Sequence, residues 1–183
     1  MNPSTAYITV VDKDRSVCSF INSIAHSFGS AIVSNKTGIL LQNRAGGFRI
    51  QVGHPNCIAP GKRPLHTIIP AVVTKNDRAV LPFGVTGAHF QPLGQIQLLS
   101  NLIDHGMPLQ LAIDQPRIFA RGDTFEIERT IPTAAIEGLL ALGHVPVVAE
   151  SPLGTAQAIC IDWEAGVLHG GADGRRDGIA LGW

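Results

Sequence analysis

The sequence predicts a mixed α+β fold, with antiparallel sheets and helices packed on them. Three observations predict it. Short apolar runs rich in β-branched residues lie toward both ends of the chain, and a block with helical periodicity lies between them. Neighbouring runs are joined by short polar turns such as Asp12-Lys13-Asp14-Arg15 and Lys75-Asn76-Asp77, and strands so joined pair antiparallel. No strand-helix phosphate motif intervenes: Gly84-Val85-Thr86-Gly87 lacks the full dinucleotide spacing and the P-loop lysine.

Each element has its own signal. Tyr7–Val11 and Val17–Ile21 are apolar runs about the Asp12–Arg15 turn and predict a hairpin. Ile39–Leu41 and Phe48–Val52 are weaker strand candidates, and His54–Pro64, with three prolines and Gly61, is a loop. His66–Val73 and Ala79–Phe83 predict two further strands. Gln91–Asp104 places Ile96, Leu99 and Ile103 at spacings of three and four, an amphipathic helix stopped by Gly106. Pro108–Asp114 predicts a short helix with proline in its first turn. Phe125–Glu128 is a short strand, and Pro132–Leu142 a third helix closed by Gly143. Ala156–Ile161 and Gly166–Gly170 form a closing hairpin about Asp162-Trp163-Glu164-Ala165. No linker, internal repeat or low-complexity segment is visible.

Composition narrows the function classes. With 183 residues, 45% hydrophobic and 15% charged, the chain can bury a core as one domain. Its formal net charge of zero offers no basic field for nucleic acid or an anionic membrane. No apolar run reaches membrane-span length, and no signal peptide is visible. Cys18, Cys57 and Cys160 are widely spaced without a CxxC pattern, and read as buried or partly buried thiols of a reducing, cytoplasmic compartment. His54, His66 and His89 lie in separate segments with no carboxylate at ligand spacing, so neither a metal site nor a cofactor is implied.

The residue with the most chemical potential is Thr5, at the front of the first strand. Read alone it is a strand starter. A threonine hydroxyl is a poor nucleophile without a base, but the first residue of a chain carries one in its own α-amine. Met1-Asn2-Pro3-Ser4 stand in front of it. These four residues are read as a leader and residues 5–183 as one domain. Removal of the leader decides whether Thr5 can act.

The ordered motifs around Thr5 resemble the small, C-terminal subunit of the γ-glutamyltransferase family. The resemblance rests on Thr5–Asp14, on Ser27-Phe28-Gly29-Ser30, and on Thr37-Gly38-Ile39-Leu40-Leu41-Gln42-Asn43. It continues through Ala59-Pro60-Gly61-Lys62-Arg63-Pro64, the Gly84–Ala88 loop and the terminal Asp177–Trp183 run. It covers essentially the whole chain, in order. It implies the N-terminal nucleophile hydrolase fold, an αββα sandwich of which this chain supplies the small-subunit part.

The resemblance also implies roles. Thr5 falls on the nucleophile, exposed by self-cleavage and assisted by its own amine. Ser23 falls on a hydroxyl that hydrogen-bonds the nucleophile; read alone it is equally a strand-end serine. Gly87 and Ala88 fall on the two N–H donors of the oxyanion hole, though Gly87 alone would read as a turn glycine. The expected partners are a large N-terminal subunit absent from this chain and a small-molecule amide substrate. Apolar surface left uncovered without that subunit predicts poor solubility or self-association.

Where the chain departs from the family, it points to a different substrate. Ala25 replaces an asparagine, Arg44 replaces a Gln or Glu, and Gly47 replaces an acidic residue that would hold a substrate ammonium. His66 and Thr67 stand where paired serines hold a carboxylate. Arg44, His66 and Thr67 are therefore the candidate substrate-binding residues, suited to a compact anion; His66 is equally readable as a structural histidine. The subgroup so indicated includes acylase-like proteins and oxamate amidohydrolases. The opposite reading is a non-catalytic fragment with Thr5 blocked.

Overall fold

The computed structural model describes residues 5–183, so the expected leader at 1–4 lies outside the described residues. Nine strands and three helices follow in chain order: β1 Ala6–Val11, β2 Val17–Asn22, β3 Ala71–Lys75, β4 Arg78–Val85, α1 Gln91–Ile103, α2 Leu109–Asp114, β5 Ile118–Arg121, β6 Thr124–Ile127, α3 Thr133–Ala141, β7 Pro146–Val148, β8 Ala156–Asp162 and β9 Val167–Ala172. They form three sheets, β1-β2, β3-β4-β8-β9 and β5-β6-β7.

The first hairpin forms where the sequence predicts it, with Ala6 opposite Asn22 and Val11 opposite Val17. Its turn is held by the Asp12 carboxylate, which accepts the N–H groups of Asp14 and Ser16. The hairpin packs across β4 and β8 of the four-stranded sheet, whose other face takes α1 and α2. Phe83, Val85, Phe90, Ile113 and Ala156 are the centre of the core between them.

Several expectations change. The candidate strands Ile39–Leu41 and Phe48–Val52 are irregular; isolated bridges Val33–Leu40 and Arg49–Cys57 and a 3-10 helix at Arg44–Gly47 are the regular features of that stretch. The strand expected from His66 starts only at Ala71, after Pro70, which has no N–H for a ladder. In α1 the expected stripe holds at Leu99, which packs against the core, and fails at its other two positions: Ile96 is 63% and Ile103 67% exposed, while Gln91, Gly94 and Leu98 face inward. Close approach chooses that face. A Cβ at Gly94 would lie 2.5 Å from the Phe90 ring and 2.7 Å from Val85, so the helix seats on its smallest residue. β6 and β7 pair in parallel, not antiparallel, with α3 as the crossover. Cys18 is exposed, not buried, because it lies on the outward face of β2 beside Phe20. Among the described residues no helix is long and apolar enough to cross a membrane.

Candidate functional site

Thr5 stands one step beyond the last pair of the hairpin, facing Ser23 on the same side. The Thr5 hydroxyl donates to Ser23 Oγ at 3.3 Å. The same oxygen accepts the Ala25 N–H at 3.1 Å and Arg44 Nη2 at 2.9 Å. Three of the predicted site residues, Thr5, Ser23 and Arg44, thus meet on one oxygen. Through Ser23 the Arg44 guanidinium places a positive field beside Thr5 Oγ, which favours loss of the hydroxyl proton as Thr5 attacks a carbonyl.

Arg44 is carried to this place by a built turn. His26 and Asn43 form a reciprocal pair: Asn43 Oδ1 accepts the His26 N–H at 3.1 Å and Asn43 Nδ2 meets His26 Nδ1 at 3.0 Å. Asn43 also donates its N–H to Ile24 O, and the Gln42 side-chain oxygen accepts the Arg44 N–H. Gly47 ends the 3-10 helix. There Asn56 donates to Gly47 O at 2.7 Å and accepts the Leu65 N–H at 3.0 Å, tying the Arg44 turn to the segment bearing His66 and Thr67. His66 itself is exposed, and its Nδ1 accepts the Ile68 N–H two residues on, the structural reading of that histidine. Thr67 is half-buried in the same extended segment. The structure therefore gathers Thr5, Ser23 and Arg44, and leaves His66 and Thr67 on a neighbouring strap.

Gly87 and Ala88 form the turn between β4 and α1. Their φ angles are +115° and +52°, so both lie in the left-handed region. For Ala88 that conformation costs about 1–2 kcal/mol. Ala88 opens a 3-10 turn capped by Gly87, and the N–H groups at such a start have no intrahelical acceptor.

A buried brace holds this turn. Thr86 and Thr155 share a hydroxyl–hydroxyl bond of 2.8 Å, and each backbone also bonds across: Thr86 N–H to Thr155 O, and Thr155 N–H to Thr86 Oγ1. Gly154, with φ +68°, presses on the turn, and a Cβ there would lie 2.1 Å from Thr86 O. Ion pairs fix the 153–156 segment in turn. Glu128 accepts the Leu153 N–H, Arg117 donates to Leu153 O, and Asp173 accepts the Ala156 N–H. Arg117 meets Asp173 at 2.6 Å and Arg175 meets Glu128 at 2.7 Å. Burial pushes both carboxyls up, but Arg117 beside Asp173 and Arg175 on Glu128 outweigh it and hold them below the usual carboxylate range. Burial also lowers the Arg117 guanidinium.

His26, Asn43, Asn56 and the Arg117–Glu128–Asp173–Arg175 network were not singled out from the sequence. Apart from Asp173 and Arg175, two residues apart, the pairings that join them span 9 to 56 residues, and no local pattern announces them.

The chain is similar to known proteins over nearly its whole length. The family model described as Gamma-glutamyltranspeptidase matches residues 1–183. The chain is 41% identical to the glutathione hydrolase-like YwrD proenzyme of Bacillus subtilis, over 97% of this chain and 35% of that relative. It is 38% identical to the oxamate amidohydrolase proenzyme of Klebsiella pneumoniae, over 98% of this chain and 35% of that relative. The structure of cephalosporin acylase from Bacillus halodurans superposes with TM-score 0.91 at 40% identity, covering 97% of this chain and 34% of that one. The chain thus spans about a third of the length of the relatives it matches.

Proposed function

This chain belongs to the gamma-glutamyltranspeptidase family, and from that premise we propose that it is the small-subunit part of an amidohydrolase or acyltransferase with Thr5 as nucleophile. The observation that carries the proposal is the Thr5–Ser23–Arg44 cluster. It holds two hydroxyls and a guanidinium, and the guanidinium offers donors only. The base for Thr5 is then its own α-amine, freed when Met1–Ser4 are removed. Thr5 Oγ attacks the amide carbonyl, its proton passes to the amine and on to the leaving nitrogen, and the acyl group stays on Thr5. Water or an acceptor amine then takes the acyl group and restores the hydroxyl. The N–H groups of Gly87 and Ala88 bind the oxyanion in both halves. The sum of these roles requires the large subunit, which makes up the rest of the family's length.

The substrate we propose is an amide with its carboxylate close to the scissile carbonyl, of which oxamate is the smallest. Arg44 Nη2 reaches Thr5 Oγ through one intervening oxygen, with links of 2.9 and 3.3 Å. A carboxylate bonded directly to the scissile carbonyl carbon matches that short spacing between guanidinium and nucleophile. A γ-glutamyl group puts three carbons there and adds an ammonium, for which Gly47 offers no carboxylate. The 38% identity to an oxamate amidohydrolase supports the same reading.

Two measurements test the proposal. Intact mass of the purified protein is expected to show loss of Met1–Ser4; retention of those residues leaves Thr5 blocked and the chain non-catalytic. The assembled enzyme is expected to release ammonia from oxamate faster than it cleaves a γ-glutamyl anilide. Robust anilide turnover without oxamate turnover defeats the substrate assignment.

A further inference from the structure

β1 pairs only with β2, and β4 pairs with β3 and β8. No backbone ladder therefore sets how far Thr5 stands from the Gly87–Ala88 turn. Side chains between the sheets must set it. Tyr7 is two residues past Thr5 on the same face of β1. Its ring lies over Gly84, three residues before Gly87. A Cβ at Gly84 would lie 2.4 Å from Tyr7 Cε2, 2.5 Å from Cδ2 and 2.8 Å from Cζ. Gly84 is not among the glycines with positive φ, so the backbone does not require glycine there. The ring does. Its hydroxyl is fixed too, at 2.8 Å from Ser19 Oγ, which donates to Phe83 O at 3.3 Å. The buried Tyr7 thus joins β1, β2 and β4 at one point.

We propose that Tyr7, seated in the notch left by Gly84, is the positioning residue that sets the Thr5 hydroxyl against the Gly87–Ala88 donors. The proposal rests on the acyl-transfer reading of Thr5. Its consequence is specific. Thr5, Ser23 and Arg44 ride on the hairpin and its bonded turn, while the donor turn rides on β4 and the 153–156 brace. A shift at Tyr7 moves the two halves apart without disturbing either. Substrate is still held by Arg44, but the attacked carbonyl misses its donors. The loss falls on kcat and spares KM.

The test uses the assembled, processed enzyme, with kinetics and a crystal structure of each variant. Gly84→Ala is expected to displace Thr5 Oγ from Gly87 N by about 1 Å and lower kcat roughly 100-fold, with KM within about twofold of wild type. Gly84→Ala/Tyr7→Val removes the ring atoms that a Cβ would strike and is expected to regain about tenfold or more. Tyr7→Phe keeps the ring and should stay within about threefold of wild type. Tyr7→Val alone empties the notch, so if Gly84→Ala fails to fold it is the deciding protein: a lower kcat with displaced Thr5 supports the proposal. Unchanged Thr5–Gly87 separation in Gly84→Ala or Tyr7→Val overturns it, as does unchanged kcat or a double variant no better than Gly84→Ala. A wild-type enzyme that cleaves no amide defeats the acyl-transfer reading instead, and the crystallographic separation still decides the role of Tyr7.

Discussion

One serine oxygen gathers three groups that are far apart in the chain. Ser23 Oγ lies 3.3 Å from the Thr5 hydroxyl and 2.9 Å from Arg44. The resemblance puts a neutral or acidic side chain where this chain has Arg44, and on the proposed reading that exchange favours an anionic substrate. Arg44→Gln removes a charge-assisted bond worth about 1.5–3 kcal/mol. Its expected effect is a roughly 10- to 100-fold rise in KM for oxamate, measured by ammonia release. Turnover of a neutral amide should fall by less, since only the field beside Thr5 is lost. Thr5→Ala, which keeps the backbone but not the nucleophile, is expected to abolish acyl-enzyme formation, read by intact mass after mixing with a slow substrate. Equal acylation of Thr5→Ala and wild type rules out Thr5.

Among the elements, the 153–156 segment decides the shape of the donor turn. Gly154 lies at φ +68° with Thr86 O where a Cβ would be. Gly154→Ala is expected to cost more than about 2 kcal/mol in urea unfolding, from the left-handed strain and the overlap together. The ion network beneath it is a liability when broken. Arg117→Met leaves the buried Asp173 with Arg175 as its remaining cationic partner and should cost about 1.5–3 kcal/mol. Acid acts on the same groups. Asp173 and Glu128 have folded pKa values below their ordinary ones. Their contribution is complete above the ordinary carboxylate range, near pH 4, and is lost as pH falls through the lowered folded values. The urea midpoint is therefore expected to drop from about pH 4 downward, and Asp173→Asn to flatten that slope. An unaltered slope in the variant assigns the acid sensitivity elsewhere.

The whole molecule is half enclosed. Residues 23–70 wrap the site with little regular structure, and within them Ile50 and Val52 are more than 90% exposed. The outward face of the hairpin adds Ile8, Val10 and Phe20. Exposed apolar side chains in this number are what the proposed large subunit would cover. The chain alone is expected to self-associate in size-exclusion chromatography with light scattering, and to elute as a defined complex when produced with its large subunit. A stable monomer of the lone chain counts against that arrangement.

The sequence by itself determined the hairpin, the existence of the two central strands and the three helices, and it pointed to Thr5, Ser23, Arg44 and the Gly87–Ala88 turn as candidates. These are written locally, in period, in turn chemistry and in the order of motifs. It misread the face of α1, because the deciding residue was the absent side chain of Gly94, whose value appears only when Phe90 and Val85 close on it. It missed β5 and β7, which have four and three residues, too few to show a period. It also gave no sign of the Asn56 staple, the 153–156 brace or the Tyr7 notch. Only the tertiary structure decided those, since each joins segments whose separation in the chain carries no signal of their contact in space.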